Sequence, residues 1–328
     1  MKQVILSLFL LFGATSCSFR GSSDSSVASD SREPTKLPDN DVLPGTEQES
    51  KDAEEPSAQS PITTEYASFD DLRYAEDEDP DHLMGAWLPI GDGPYPAIIL
   101  LHAGGWRQGN YINLRTWGQY YASRGIASFS IGYQKSTVEE ASWPTTIQDV
   151  VCAIRHIKSN AEVYRIDPNR IAAIGFSAGG HLASLIGTLQ GDETFLDGAC
   201  GDSGVDSKVG LVVNISGPVD FVSLAESNGT AVPQIIQFLG NKYVENPSIW
   251  VEASPQTYVS PDDAIFVIGH GALDEAVPQE SAESFVTKLI ESGIEVHYSL
   301  FDDQGHIGDI PNLILPVLEP LLFDILKP

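Results

Sequence analysis

The 328-residue chain is poor in basic residues and cysteine, and each shortage excludes a class of function. It has 18 Lys and Arg against 46 Asp and Glu, a formal net charge of −28. A surface of this charge repels phosphate backbones, which excludes nucleic acid and anionic polymers as preferred ligands. The 3 cysteines form no cluster with histidines, and the carboxylates are not spaced as a coordination loop. The sequence therefore predicts no metal site.

Two further absences concern cofactors and architecture. The glycine-rich turns do not present the pattern G-x-G-x-x-G, so we expect neither a dinucleotide nor any other cofactor. Nothing repeats at a fixed period, which excludes a solenoid or a propeller. The composition, with 42% hydrophobic residues, is that of one large globular domain with a polar tail.

Residues 1–17 have the layout of a signal peptide. Lys2 forms a short basic region, and the apolar run Val4 to Phe12 is too short to span a bilayer as a helix. The stretch ATSC, which ends at Cys17, resembles the bacterial lipobox, whose cysteine is lipidated and becomes the new N-terminus. This resemblance implies export and a lipid anchor at Cys17 on a bacterial membrane. The alternative is ordinary secretory cleavage nearby, with Cys17 incidental.

Residues 18–65 are mostly Ser, Asp, Glu and Pro, and they contain too little apolar surface to fold. We predict a disordered acidic tether there, followed by one folded domain over residues 66–328. The acidic run Ala75 to Asp81, at the entry to this domain, is expected to be solvated rather than a cation site. In an oxidising compartment, Cys152 and Cys200 either pair as a disulfide or remain two thiols.

Beyond residue 66, short apolar runs alternate with helical patterns. This alternation predicts right-handed crossovers and an α/β fold with a mainly parallel sheet flanked by helices. In such a sheet, sites lie at the carboxyl ends of the strands. The segment 218–255 interrupts the rhythm with turn residues and aromatics, and we predict that it forms a small cap. The predicted strands are 96–102, 126–133, 170–176, 208–216, 264–270 and 295–301, and the predicted helices are 145–161, 177–189, 277–293 and 313–326.

The stretch GFSAG, Gly175 to Gly179, lies between a predicted strand and a predicted helix. In that context G-x-S-x-G is a nucleophile elbow, in which the serine takes a strained backbone conformation that lifts its hydroxyl above the sheet. Side chains two residues away on either side would clash, which explains the glycines. We therefore predict that Ser177 is a nucleophile; a glycine-rich turn without chemistry is the alternative.

A serine nucleophile needs a base and an orienting acid. His306 follows the last predicted strand, and two candidate acids, Asp274 and Glu275, follow the strand before it. This order, serine then acid then histidine, is the one expected for α/β-hydrolases. Asp274 could instead cap the following helix, but Pro278 suits the first helical position and would place the cap at Val277.

Together these motifs resemble the bacterial esterase/lipase branch of the α/β-hydrolase superfamily, near feruloyl and acetyl xylan esterase-like proteins. The stretch HAGGW resembles the His-Gly-Gly-Gly motif of that family, with Ala103 in place of the first glycine. The resemblance implies an oxyanion hole formed by the backbone amides of Gly104, Gly105 and Ala178. It also implies a carboxylic ester substrate, either a small ester or an acylated carbohydrate.

The resemblance also separates two neighbouring acids. HGALDEAVP matches the family pattern His-Gly-x-x-Asp-x-x-Val-Pro, which selects Asp274 rather than Glu275 as the partner of His306. Ile307 departs from the pattern, because the family has a small or variable residue after the catalytic histidine. His102 and His270 lie in the loop motifs and are expected to be structural hydrogen-bonding residues.

Four questions stay open at this point. The same core serves peptidases and arylformamidases, and a non-catalytic surface binding protein is the alternative from a different class. The oligomeric state is not predicted. The aromatic residues of the cap segment either stack on sugar or aryl groups or form the core of the cap; they are Phe221, Phe238, Tyr243 and Trp250. Trp106 is either a wall of the site or packing beneath the oxyanion loop.

Overall fold

A computed structural model of the protein describes residues 64–190, 204–227 and 229–325. These residues belong to one compact unit. The predicted signal peptide with Cys17, the predicted tether up to residue 63, and Cys200 lie outside the described residues. The last two residues of the predicted tether are joined to the domain. The amide of Thr64 donates to Ser123 O at 2.8 Å, and Glu65 O accepts from Ile90 N at 2.7 Å.

The described strands form one eight-stranded sheet. The strands are β1 (Tyr66–Arg73), β2 (Leu83–Pro89), β3 (Tyr95–Leu101), β4 (Ala127–Ile131), β5 (Ile166–Phe176), β6 (Leu211–Ile215), β7 (Ile265–Gly271) and β8 (Val296–Phe301). The helices are α1 (Arg115–Ala122), α2 (Thr145–Ser159), α3 (Ala161–Tyr164), α4 (Ala178–Thr188), α5 (Phe221–Ser227), α6 (Val232–Leu239), α7 (Pro247–Glu252), α8 (Gln279–Glu291), α9 (Ile310–Leu313) and α10 (Leu315–Ile325). None of the helices in the described ranges is long and apolar enough to cross a membrane.

The strand order is β1-β2-β4-β3-β5-β6-β7-β8, and β3 to β8 pair in parallel. This arrangement confirms the predicted mainly parallel sheet. The antiparallel strands β1 and β2 at one edge were not among the predicted strands. The sequence of β1, YASFDDLR, contains three charged residues and has no buried position. An edge strand needs no continuous apolar run, so β1 gives no such signal.

Strand β3 shows why the central strands read as unbroken apolar runs. Successive side chains of a strand point to opposite faces of the sheet. Ala97, Ile99 and Leu101 belong to the core on one face, while Ile98 and Leu100 belong to the core on the other. All five side chains are fully buried. Full burial of one such leucine or isoleucine contributes about 1.5–3 kcal/mol, so both faces of this strand stabilise the fold.

The structure answers only in part whether Cys152 and Cys200 form a disulfide. Cys152 lies on α2 and is disulfide-bonded. Because Cys200 lies outside the described residues, its pairing with Cys152 stays a prediction.

The acidic run Ala75 to Asp81 is partly exposed and partly ion-paired. Glu76 and Glu78 are exposed, as expected for a solvated run. Asp81 instead forms an ion pair with the ammonium group of Lys135. Within the described ranges, no group of three or more His, Cys, Asp or Glu residues could hold a metal ion. The run is therefore partly tied to the fold by ion pairs.

His82, which comes directly before β2, lies between two carboxylates. Its Nδ1 is 2.7 Å from Asp77 Oδ2, and its Nε2 is 3.2 Å from Asp149 Oδ1. The buried carboxylate of Asp149 also accepts a hydrogen bond of 2.8 Å from the amide of Gln134. The hydrogen bond to Asp149, assisted by both negative charges, outweighs burial and raises the pKa of His82 to about 9.

We expect His82→Gln to destabilise the protein in neutral but not in alkaline solution. The folded-state pKa of about 9 exceeds the ordinary value of 6.5. Protonated His82 therefore contributes stability that is fully present below about pH 6.5 and is lost as the pH rises through 9. The measurement is the free energy of unfolding in urea at about pH 6 and about pH 10.

The control is His297→Gln, because His297 pairs with Glu295 in an exposed position and should contribute little at either pH. A difference between wild type and His82→Gln that does not shrink with rising pH would contradict the interpretation.

Candidate active site

Ser177 occupies the sharp turn between β5 and α4. Its φ of 51° and ψ of −116° lie in a region that non-glycine residues rarely adopt. The amide of Ser177 donates to Ile215 O on β6 at 2.8 Å, which holds the turn against the neighbouring strand. The side chain is partly exposed, whereas every residue of α4 is buried. The turn therefore presents one reactive hydroxyl on a rigid support.

The glycines on either side of Ser177 are required by close backbone contacts. A Cβ atom on Gly175 would overlap the carbonyl of Gly179. A Cβ atom on Gly179 would overlap the carbonyl oxygen of Leu101 and lie 2.6 Å from that of His102. The loop after β3 thus passes directly against the first turn of α4.

The structure brings the predicted nucleophile, base and acid together. Ser177 Oγ is 2.7 Å from His306 Nε2, and His306 Nδ1 is 2.8 Å from Asp274 Oδ2. Because a carboxylate oxygen only accepts, the proton of the neutral imidazole lies on Nδ1 and leaves Nε2 free to accept from the serine hydroxyl. The side chain of Asp274 is 0% exposed and that of His306 is 31% exposed. The acid is shielded from water, and the base is open to a reacting ligand.

Asp274 is held in place by its own loop. Its Oδ1 accepts from the amides of Ala276 and Val277, both at 2.9 Å, while Oδ2 faces His306. His270 Nε2 donates to Val277 O at 2.7 Å and so fixes the same loop. The expectation that Pro278 is the first helical residue is wrong, because α8 begins at Gln279 and Pro278 is its N-cap. The carboxylate caps loop amides with one oxygen, which leaves the other free to orient the base.

The loop that carries His306 is held by a residue that the sequence analysis missed. Ile307 has a φ of 62°, which is a strained conformation for a β-branched residue. Its amide donates to Ser216 Oγ at 3.2 Å, and Ser216 itself has a φ of 53°. Ser216 directly follows β6 at the carboxyl edge of the sheet. That position in the sequence was the signal that could have identified it as a residue of the site. The isoleucine after the histidine is thus accommodated by a specific hydrogen bond.

The loop after β3 supplies the predicted oxyanion donors. Gly104 and Gly105 have φ values of 140° and 59°, which only glycine adopts readily. Ala103, which replaces the first family glycine, does not have a positive φ, so its methyl group causes no backbone strain. Within the described ranges, the amides of Gly104, Gly105 and Ala178 donate to no protein acceptor. They remain available for a negatively charged oxygen.

The aromatic residues of the cap segment, residues 218–255, form its core. Phe221, Phe238 and Trp250 are 0% exposed, and Tyr243 is half-buried. The first three are therefore not available to stack on a sugar. Trp106 is 2% exposed and its ring stacks on that of Phe238 at 4.7 Å, so it packs beneath the oxyanion loop.

A serine that can lose its proton to a carboxylate-oriented imidazole, beside unpaired backbone amides, is equipped for acyl transfer. The sequence model of the BD-FAE family matches residues 87–289, more than half of the chain. The chain belongs to the BD-FAE family. The match includes Ser177 and Asp274 and ends before His306.

Curated relatives of this BD-FAE protein include two from Mycobacterium tuberculosis. The probable carboxylic ester hydrolase LipM is 30% identical over 70% of this chain and 53% of its own length. Esterase LipC is 30% identical over 71% of this chain and 58% of its own length. The chain thus spans about half the length of the curated relatives it matches.

Two solved structures share the fold of this BD-FAE protein. One is a truncated carbohydrate esterase from gut microbiota, with a TM-score of 0.69 and 26% identity, which covers 83% of this chain and 100% of that chain. The other is the bifunctional GH43-CE protein of Bacteroides eggerthii, with a TM-score of 0.71 and 28% identity over 79% of this chain and 38% of that chain. The α/β-hydrolase fold predicted from the sequence is confirmed.

We expect Asp274→Asn in this BD-FAE protein to slow the reaction of Ser177 with a fluorophosphonate probe by about 10⁴-fold, because an amide no longer selects the Nδ1–H tautomer of His306. The measurement is the rate of covalent labelling, followed by intact mass. Glu275→Gln is the matched control, since Glu275 is the exposed neighbour, and it should react at the wild-type rate. Equal loss in both variants would overturn the selection of Asp274.

Proposed function

We propose that the protein is a carboxylic ester hydrolase that works through an acyl-enzyme on Ser177. The observation that carries the proposal is the continuous relay from Ser177 Oγ through His306 to the buried carboxylate of Asp274. The names of the curated relatives, a probable carboxylic ester hydrolase and an esterase, support the same reaction. A non-catalytic binding protein would have no need of a strained serine aligned with a base.

In the acylation step, His306 Nε2 takes the proton of the Ser177 hydroxyl as the oxygen attacks the ester carbonyl carbon. The carbonyl oxygen becomes negatively charged and is stabilised by the amides of Gly104, Gly105 and Ala178. When the tetrahedral intermediate collapses, the carbon–oxygen bond to the alcohol breaks. His306 then returns its proton to the leaving alcohol, so the base is regenerated and the serine carries the acyl group.

In the deacylation step, His306 removes a proton from water, and the resulting hydroxide adds to the acyl carbon. The same amides stabilise the second oxyanion. Collapse releases the carboxylic acid, and the proton returns to the Ser177 oxygen. Throughout both steps, Asp274 keeps the imidazole oriented and stabilises its protonated form.

The substrates that we propose are acylated carbohydrates. Support comes from two structural neighbours above 25% identity, one described as a carbohydrate esterase and one as a bifunctional GH43-CE protein. The partly exposed Ser177 and His306 are consistent with an acyl group borne on a bulky alcohol. The buried aromatic residues of the cap segment do not contribute a sugar-stacking surface, so polar contacts and shape would select the sugar.

We expect Ser177→Ala to lower kcat/KM for p-nitrophenyl acetate by about 10⁶-fold, the scale on which triad enzymes lose activity without their nucleophile. The protein should otherwise fold normally, because alanine removes only one hydroxyl oxygen. The measurement is release of p-nitrophenol by the folded domain and the variant, side by side. Hydrolysis by the variant at a rate near that of the wild type would contradict the assignment of Ser177 as the nucleophile.

The substrate class is tested with a panel of matched esters. We expect faster release of acetate or ferulate from acylated xylan oligosaccharides than of fatty acids from longer p-nitrophenyl esters. A dipeptide p-nitroanilide provides the comparison with peptidases. Preference for the anilide would favour a peptidase, and preference for long acyl chains would contradict the carbohydrate proposal.

We also propose that the protein is exported and held on a bacterial membrane by lipid on Cys17. The support is the signal-peptide pattern and the lipobox-like ATSC stretch of residues 1–17, with residues 18–63 as the connection to the domain.

We expect Cys17→Ser to move the full chain from the membrane fraction to the soluble fraction and to abolish incorporation of labelled palmitate. Both effects follow because one thiol carries the anchor. Cys152→Ser is not a suitable control, since Cys152 is disulfide-bonded; Ser16→Ala keeps the small residue before the cysteine and should stay in the membrane. Unchanged fractionation of Cys17→Ser would contradict the anchor.

A further inference from the structure

His181, in the second turn of α4, connects three parts of the site and is absent from the reaction proposed above. Its amide donates to Ser177 O at 3.0 Å, so it lies one helical turn beyond the nucleophile. The residue is 0% exposed, and it reaches neither a ligand nor the reacting atoms. A titratable residue buried this close to a nucleophile requires an explanation.

Both ring nitrogens of His181 are hydrogen-bonded. Trp106 Nε1 donates to His181 Nδ1 at 3.2 Å, and His181 Nε2 donates to Ala253 O at 2.7 Å. Since an indole nitrogen only donates, Nδ1 must be the unprotonated nitrogen. Burial lowers the pKa of His181 to about 3, against the opposing effect of the bond to Ala253. The imidazole therefore stays neutral, in one tautomer, throughout the neutral pH range.

The ring of His181 is also part of the aromatic core of the cap segment. It stacks on Phe221 with centroids 4.6 Å apart, and it meets the edge of Phe238 at 5.9 Å. The ring of Trp106 lies perpendicular to it at 5.2 Å. Through these contacts α4, the oxyanion loop and the cap segment pack around one imidazole.

Trp106 connects His181 to the loop that carries the oxyanion donors. It directly follows Gly105, and its own φ of 56° is a left-handed conformation that is strained in a non-glycine residue. Its carbonyl accepts from Ser136 N at 2.7 Å, while its indole is fixed by His181. Trp106, which directly follows Gly105, is thus held both through its indole and through its carbonyl group.

We propose that His181 is a positioning residue that holds the oxyanion loop in its donating geometry by accepting the indole hydrogen bond of Trp106. The inference rests on the proposed acyl transfer but not on the identity of the ester. Oxyanion donors act mainly in the transition state, so a misplaced loop lowers kcat rather than raising KM.

The test compares His181→Asn with His181→Leu, two side chains of nearly the same shape. The amide oxygen of asparagine lies near the position of Nδ1 and can accept from Trp106, whereas leucine cannot. Both variants lose the bond to Ala253 and should unfold at a lower urea concentration. Only His181→Leu should lower kcat for p-nitrophenyl acetate by about 10-fold or more, with KM within about twofold.

A second readout measures the oxyanion contacts without turnover. A trifluoromethyl ketone adds reversibly to an activated serine and places a negatively charged oxygen in the oxyanion hole. The affinity of His181→Leu for this ketone should therefore fall in parallel with its kcat. The affinity of His181→Asn should remain near that of the wild type. Trp106→Phe removes the same donor and should match His181→Leu, and the double variant should be no worse than either single variant by more than about twofold.

Phe285→Leu is the control for stability alone, because Phe285 is buried against Phe266 at the start of β7, whereas the site lies at the carboxyl end of that strand. It should unfold early with unchanged kcat and ketone affinity. Equal kcat and equal ketone affinity in His181→Asn and His181→Leu would overturn the proposal and leave His181 with a structural role only.

The outcome is separable from that of the proposed function. If the wild type cleaves no ester but reacts with a fluorophosphonate, the ester proposal fails while the labelling rates of the His181 variants still decide the role of His181. If the wild type reacts with neither, both proposals are overturned.

Discussion

The site depends on the contact between the first turn of α4 and the backbone that leaves β3. Gly179 packs so closely against the carbonyls of Leu101 and His102 that no side chain fits between them. This contact sets the distance between the serine on one loop and the oxyanion amides on another. Because β3 and β5 are neighbouring parallel strands, they end at the same edge of the sheet, and the loops that follow them meet there.

Around that contact, each loop that carries the chemistry contains a residue with strained backbone. Ser177, Trp106, Ser216 and Ile307 all have positive φ values near 50–60°. Each is held by a specific hydrogen bond from a neighbouring element, and the strain is therefore offset by packing elsewhere. The result is a group of reactive atoms whose positions are over-determined by a rigid sheet and its buried helices.

Unlike the strained backbone, the negative charge of the chain is not concentrated in the loops of the site. The chain carries a net charge of −28, yet the one carboxylate in the relay, Asp274, has no exposed side-chain surface. Its two oxygens are fully used by loop amides and by His306. The acidic surface therefore influences solubility and encounter, while the reaction depends on a single shielded carboxylate with fixed partners.

The parallel core was predictable because its strands are buried on both faces and read as unbroken apolar runs, as in β3. The nucleophile was predictable because the elbow requires glycines at fixed offsets from Ser177. The edge strand β1 was not, because it has no buried position and its polar sequence gives no strand signal. The start of α8 was misplaced by one residue, since Pro278 is compatible with both the N-cap and the first helical position.

The sequence by itself determined the fold class and the candidates Ser177 and His306, because local backbone geometry and chain order restrict which residues occupy those turns. The resemblance to the family selected Asp274 rather than its neighbour Glu275. Only the tertiary structure decided that the nucleophile, base and acid meet within hydrogen-bonding distance, that Ser216 holds the loop of His306, and that His181 holds Trp106. Those contacts join residues from distant parts of the chain. Their partners are chosen by packing, and no local pattern in the sequence encodes a packing partner.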